Sequence, residues 1–154
     1  MIIRRAGLSD LNGVNELLRQ VLAVHHKGRP DLFREEGKKY TDEELSAIFA
    51  DDERPVFVAV DEKVIGYAFC VFVRHDGDHV LCDHTSLYID DLCVDEKARG
   101  KKVGKALFDF VQKYAKENNC RSVTLNVWEC NLGARVFYEK MGLVPYKTCM
   151  EKLL

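Results

Sequence analysis

The sequence predicts a mixed α/β fold: an α+β arrangement of one mixed sheet with helices on both faces. Three observations carry that reading. Apolar segments of period two alternate with segments of period 3.6 along the chain. Between residues 56 and 94 the strand-like runs are joined by polar turns, as in antiparallel hairpins, whereas the later runs are separated by helices. The 154 residues, 47% hydrophobic and 31% charged, suit one domain with one core. The expected order is β-α-α-β-β-β-α-β-α-β.

Each element has its own signal. Ile2 to Arg5 reads as a short strand. Ser9 suits an N-cap and Asp10 the first helical turn. Leu11, Val14, Leu18, Val21 and Leu22 then recur at helical spacing to about His26. Lys27 to Tyr40 is a polar loop. Thr41-Asp-Glu-Glu44 has the pattern of a capping box, with Leu45, Ile48 and Phe49 on one face of a second helix. Val56 to Val60 and Val64 to Arg74 form a hairpin around Asp61-Glu-Lys63. His75-Asp-Gly-Asp-His79 has turn chemistry, and strands resume through Leu81 and from Thr85 to Val94. The strongest helix spans Val103 to Glu117, with Val103, Ala106, Leu107, Phe110, Val111, Tyr114 and Ala115 on one stripe. Val123, Leu125 and Val127 alternate as a strand. Ala134, Phe137, Tyr138 and Met141 mark a last helix that stops at Gly142. Residues 145–153 read as a terminal strand. The three prolines sit at element starts or turns, and no repeat or linker divides the chain.

Charge and cysteine content narrow the function classes. Lys and Arg total 23 against 25 Asp and Glu, a formal net charge of -2. A general nucleic-acid binder carries a basic excess, so no nucleic-acid partner is expected. The longest apolar run, Val64 to Val73, is far short of the roughly 20 residues of a membrane span. Six cysteines are present, none in a C-x-x-C pair. A chain long enough to fold without disulfides, with no visible secretory leader, is expected to keep them reduced in the cytoplasm.

The most informative segment is Asp90 to Lys105. A buried strand ends at Val94, a short polar turn follows, and Arg99-Gly-Lys-Lys-Val-Gly-Lys105 opens the strongest helix. Backbone amides at a helix start lack intrahelical partners, and the positive end of the dipole favours an anion there. Arg99, Lys101, Lys102 and Lys105 add charge that is unfavourable at a helix start unless an anion compensates it. Gly100 and Gly104 let backbone approach a ligand. A phosphate or pyrophosphate is the expected ligand. The spacing fits neither a P-loop nor a dinucleotide fingerprint.

These residues resemble the GNAT acetyltransferase superfamily over essentially the whole chain. Arg99-Gly-Lys-Lys-Val-Gly104 matches its [Q/R]-x-x-G-x-[G/A] hexad. Ile89 to Val94 matches the preceding I-x-D-L-x-V strand. Asn131, Ala134, Tyr138, Lys140 and Gly142 match a second element, N-x-x-A-x-x-x-Y-x-K-x-G. One departure stands out: the central glycine of the hexad is Lys102, whose Cβ is strained if that position needs a positive φ.

The resemblance implies a single N-acetyltransferase domain, residues 1–154, with acetyl-coenzyme A as donor. The pyrophosphate would meet the amides of Arg99, Gly100, Lys101, Lys102, Val103, Gly104 and Lys105. The pantetheine would pair with the strand edge at Leu92, Cys93 and Val94. Asn131, Ala134, Phe137 and Tyr138 would line the other wall. The implied reaction is direct attack by a primary amine in a ternary complex, on a small-molecule or peptide acceptor. The amine must lose a proton, the oxyanion needs stabilisation, and the departing thiolate needs a proton. Tyr138 matches the family tyrosine that supplies the last proton.

Asp90 and Asp91 are the candidate bases, carboxylates in an otherwise apolar strand. Alternation would send them to opposite faces. The resemblance favours Asp90, at the acidic position that some members use through water. The spacing of His75, His79, His84 and Cys82 fits no standard zinc pattern, so no metal is expected. The resemblance places the loop from His25 to Phe33 beside the acceptor pocket, where it is expected to shape specificity, whereas Tyr88 and Trp128 read as core or edge aromatics. The alternative is a non-catalytic acyl-CoA-binding or sensor module on the same fold. A homodimer stays open.

Overall fold

In the computed structural model, which describes residues 1–154, five strands lie side by side in chain order: β1 (Ile2–Arg5), β2 (Val56–Asp61), β3 (Lys63–His75), β4 (His84–Val94) and β5 (Ser122–Leu125). The first four pair antiparallel and β4 pairs with β5 parallel. A parallel pair needs a long crossover, and helix α3 (Val103–Glu117) supplies it.

Helices cover both faces. On one, α1 (Leu11–Gly28) and α2 (Asp42–Phe49) pack Val14, Leu17, Leu18, Leu45 and Phe49 onto Val56, Val58, Tyr67, Phe69 and Cys93. On the other, α3 sets Phe108, Val111 and Ala115 against Phe57, Ala68, Cys70, Leu87 and Ile89. The last helix, α4 (Leu132–Lys140), adds Phe137 to this second layer. No helix is long and apolar enough to cross a membrane.

The capping box forms as the sequence implied: Thr41 Oγ1 accepts from the Glu44 amide at 3.1 Å, and Glu44 Oε2 accepts from the Thr41 amide at 2.8 Å. The first helix differs at its start. A 3-10 turn, Leu8–Asp10, precedes α1, and Ser9 makes no cap. The Asp10 carboxylate is instead claimed by Arg4, at 2.7 and 2.9 Å, and by the Gly7 amide at 2.9 Å.

Two predicted strand segments are absent. The run through Leu81 is irregular, because Asp78 turns the chain by accepting from the Val80 and Leu81 amides, each at 2.7 Å. Residues 145–153 form no strand and find no ladder partner. Their apolar side chains stay exposed, Tyr146 and Met150 among them. Arg29 reaches back to Glu151 at 2.9 Å, tying this tail to the loop after α1. The fifth strand also stops two residues early, at Leu125 rather than Val127.

Candidate active site

The site begins with a fault in β4. Its ladder with β3 pairs Phe69 with Asp91 and Cys70 with Ile89, so Asp90 is an extra residue, a β-bulge. Ile89 and Leu92 both pack on the α3 side, leaving two residues between them where strict alternation allows one. The expectation that Asp90 and Asp91 face opposite ways therefore fails. Both carboxylates approach one ammonium, that of Lys39, at 3.1 and 3.6 Å.

The two aspartates are not equivalent. Asp90 is half exposed, whereas the Asp91 side chain is only 9% exposed. Tyr67, fully buried beneath it, donates its hydroxyl to Asp91 Oδ2 at 3.0 Å. Burial raises the Asp91 carboxyl above its ordinary value, although Lys39, Tyr67 and His25 pull the other way. It is therefore a stronger base than an exposed aspartate. His25, at the end of α1, is lowered chiefly by its own burial.

Tyr138 lies on α4. Burial, with the nearby Asp91 charge adding to it, pushes its phenol upward, so it stays protonated at neutral pH. Its ring packs on Phe137 at 5.1 Å and Phe108 at 6.4 Å. Asn131 caps α4, its side-chain oxygen accepting from the Ala134 amide at 3.1 Å. Both Asn131 and Ala134 thus position the wall that carries Phe137 and Tyr138. Cys93 is buried on the α1 side, its thiol pushed up to about 12, mainly by burial. It is a poor nucleophile in that state.

β4 and β5 part beyond Ile89. Their pairing covers only Ser86 to Ile89 against Ser122 to Leu125. From Asp90 to Val94, including Leu92 and Cys93, β4 has no strand beside it on that edge. The loop Arg99–Lys105 follows. The first helical bond of α3 runs from the Ala106 amide to the Lys102 carbonyl at 3.0 Å, so the amides of Val103, Gly104 and Lys105 precede it. Gly100 has φ +77°, and Lys102 has φ +64°. The position of the missing glycine does need the left-handed conformation, and Lys102 adopts it under strain. Gly104 lies against the Phe137 ring, where a Cβ would make an ordinary contact at 3.5 Å. An open helix start, basic side chains and an unpaired strand edge fit a pyrophosphate with an amide-bearing arm.

A cavity of about 270 Å³ is lined by Val24, His25, Lys27, Phe33, Trp128 and Asn131 among others. Phe33 meets His25 at 4.8 Å and Trp128 edge-on at 5.3 Å. Trp128, read from sequence as a core or edge residue, is 41% exposed and forms one wall. Lys39, Tyr67 and Trp128 were missed as site residues. Only the paired polar residues Asp90 and Asp91 in an apolar strand signalled the bulge that gathers them.

The profile of the acetyltransferase (GNAT) family matches residues 19–143. The chain belongs to this family. Glucosamine 6-phosphate N-acetyltransferase of Arabidopsis thaliana is 28% identical over 97% of this chain and 94% of its own. The crystal structure of that enzyme superposes with a TM-score of 0.73 at 25% identity, covering 99% of this chain and 97% of the other. A mutant protein from Bacillus halodurans superposes with a TM-score of 0.95 at 32% identity over 100% and 99% of the two chains. A spermine/spermidine N(1)-acetyltransferase of Bacillus subtilis is 25% identical over 58% of each chain. GNAT acetyltransferases use acetyl-coenzyme A as co-substrate, which fits the open helix start and strand edge.

Proposed function

We propose that residues 1–154 form a single N-acetyltransferase domain that moves the acetyl group of acetyl-coenzyme A to the primary amine of a small molecule. The observation that carries this reading is the buried Asp91 carboxylate, set between Tyr67 and the Lys39 ammonium, with its charge felt by the Tyr138 phenol. A carrier or sensor of acyl-CoA has no need of a buried base opposite a protonated phenol.

Acetyl-coenzyme A supplies an activated acyl group as a thioester; the chain's residues do the rest. The amides of Val103, Gly104 and Lys105, with Arg99, Lys101 and Lys102, hold the pyrophosphate. The edge of β4 at Leu92 to Val94 receives the pantetheine amides as an added strand would. Asp91, rather than Asp90, takes the amine proton, because its raised pKa gives it more driving force. Tyr138 returns a proton to the departing thiolate, and attack is direct because the Cys93 thiol is held neutral.

The cavity suits a small acceptor. The relatives named for glucosamine 6-phosphate and for spermine and spermidine support a small-molecule amine. All six cysteines are free, which supports a reducing, cytoplasmic setting. Thiol release from acetyl-coenzyme A over a panel of amino-sugar phosphates, polyamines and aminoglycosides tests the reading. Saturable release with at least one amine is expected. No release with any amine, from protein that binds coenzyme A, contradicts it.

A further inference from the structure

A primary amine already occupies the seat that an acceptor needs. Lys39 lies in the loop between α1 and α2, and its Nζ stands 3.1 Å from Asp90 and 3.6 Å from Asp91. Its neighbours fix it there. Tyr40 stacks on Phe69 at 5.9 Å and packs against the α1-side core. Thr41 begins α2 with its capping box. At the other end of the loop, the Phe33 carbonyl bonds His26 Nδ1 at 2.8 Å. The neighbouring Lys38 points elsewhere, to Asp42 at 2.7 Å. Of the two adjacent lysines, one is thus a helix-start ion pair and the other an amine held against the buried carboxylate.

We propose that Lys39 is a self-acetylation site, the first acceptor of the chain's own acetyl transfer. The inference rests on the acetyltransferase reading above and on Asp91 as its base. Burial disfavours the Lys39 ammonium, but the two carboxylates outweigh that and keep it charged. Asp91 takes one proton from the ammonium. The freed lone pair attacks the thioester carbonyl, the C–N bond forms and the C–S bond breaks. The thiolate takes a proton from Tyr138, and the second proton shed by the new amide nitrogen restores that phenol. This leaves coenzyme A, a neutral acetamide on Lys39 and one proton on Asp91, which passes to solvent. Tethering makes the step effectively unimolecular, which is where proximity contributes most. The product no longer carries a charge to pair with Asp90 and Asp91. The loop loses its ionic tie, and the carboxylates become free for an external cationic amine.

The test is peptide mass mapping after incubation of the full chain with isotope-labelled acetyl-coenzyme A, on wild type, Lys39→Arg and Asp91→Asn. Coenzyme A binding is checked by thermal shift, and turnover of an added amine is measured on the same preparations. Expected is one acetyl group on Lys39, formed at a rate constant independent of protein concentration. Asp91→Asn should slow it by about 10²-fold, the low end of the effect of a positioned base. Lys39→Arg keeps the charge and should take no label in that peptide. Label scattered over surface lysines, at a rate that Asp91→Asn leaves unchanged, overturns the proposal as mere chemical acetylation. Label on Lys39 whose rate rises with protein concentration overturns it as transfer between molecules. Turnover of an added amine with Lys39 unlabelled overturns it while leaving the acetyltransferase reading intact. Failure of both reactions, with coenzyme A still raising the melting temperature, removes both readings.

Discussion

Asp10 and Asp91 are both buried, and they are buried to opposite ends. Asp10, at the turn before α1, has a side chain only 4% exposed and takes both guanidinium nitrogens of Arg4 together with the Gly7 amide. The Arg4 hydrogen bonds hold its carboxyl below the ordinary value despite its burial. Asp91, at the bulge of β4, is about as buried, but burial dominates and its carboxyl is raised. A buried carboxylate with a complete set of donors is a structural joint. One with an incomplete set is a poised base.

The largest effect should come from breaking the poised one. Asp91→Asn should lower amine acetylation by about 10²–10⁴-fold, the scale of a positioned base. Its stability at neutral pH should stay within about 1 kcal/mol of wild type, since a costly buried charge leaves along with a hydrogen bond. Tyr138→Phe keeps the ring against Phe137 and Phe108 and removes only the hydroxyl. Turnover should fall by roughly 10²-fold while coenzyme A affinity holds. Steady-state rates and coenzyme A titrations on the two variants check both outcomes.

Asp10→Asn should show the opposite split. Turnover should be unchanged and stability reduced by about 1.5 kcal/mol, at the low end for hydrogen bonds to charged groups because Arg4 is half exposed. The pH dependence differs in sign. The stability that Asp10 contributes is present above the ordinary carboxylate pKa and is lost as the pH falls through its lowered value. Asp91 acts in reverse: its ionisation costs stability as the pH rises from the ordinary value through the raised one. Urea melts of wild type, Asp10→Asn and Asp91→Asn at acid and neutral pH separate the two.

How much of this was legible in the sequence follows the range of the interactions. The stripe of α3, the capping box at Thr41 and the hexad from Arg99 to Gly104 are local, and each sits where its pattern put it. The placement of Lys39 and Tyr67 beside Asp91 is a product of sheet topology, for which no spacing gives warning. The bulge left a faint local trace, two polar residues where alternation wants one. The tail beyond Gly142 misled because alternation describes a strand's faces and not its partner. The resemblance favoured Asp90; burial and the Tyr67 hydroxyl favour Asp91.

The smallest effect concerns Lys102. Relief of its left-handed conformation in Lys102→Gly should stabilise the chain by about 1 kcal/mol or less, the steric gain being offset by the entropy of glycine. If the ammonium meets phosphate, the same variant should bind coenzyme A more weakly, with a smaller dependence on salt. Calorimetric titration at two salt concentrations reads both.

The pH profile of kcat/KM for amine acetylation by wild type, Asp90→Asn and Asp91→Asn tests most directly that the buried Asp91, and not the half-exposed Asp90, is the base. The wild-type rate should climb through a limb displaced above the ordinary carboxylate range, because Asp91 must be ionised to accept the proton. Asp90→Asn should keep that limb and Asp91→Asn should lose it. A limb that survives in Asp91→Asn and vanishes in Asp90→Asn would contradict the account.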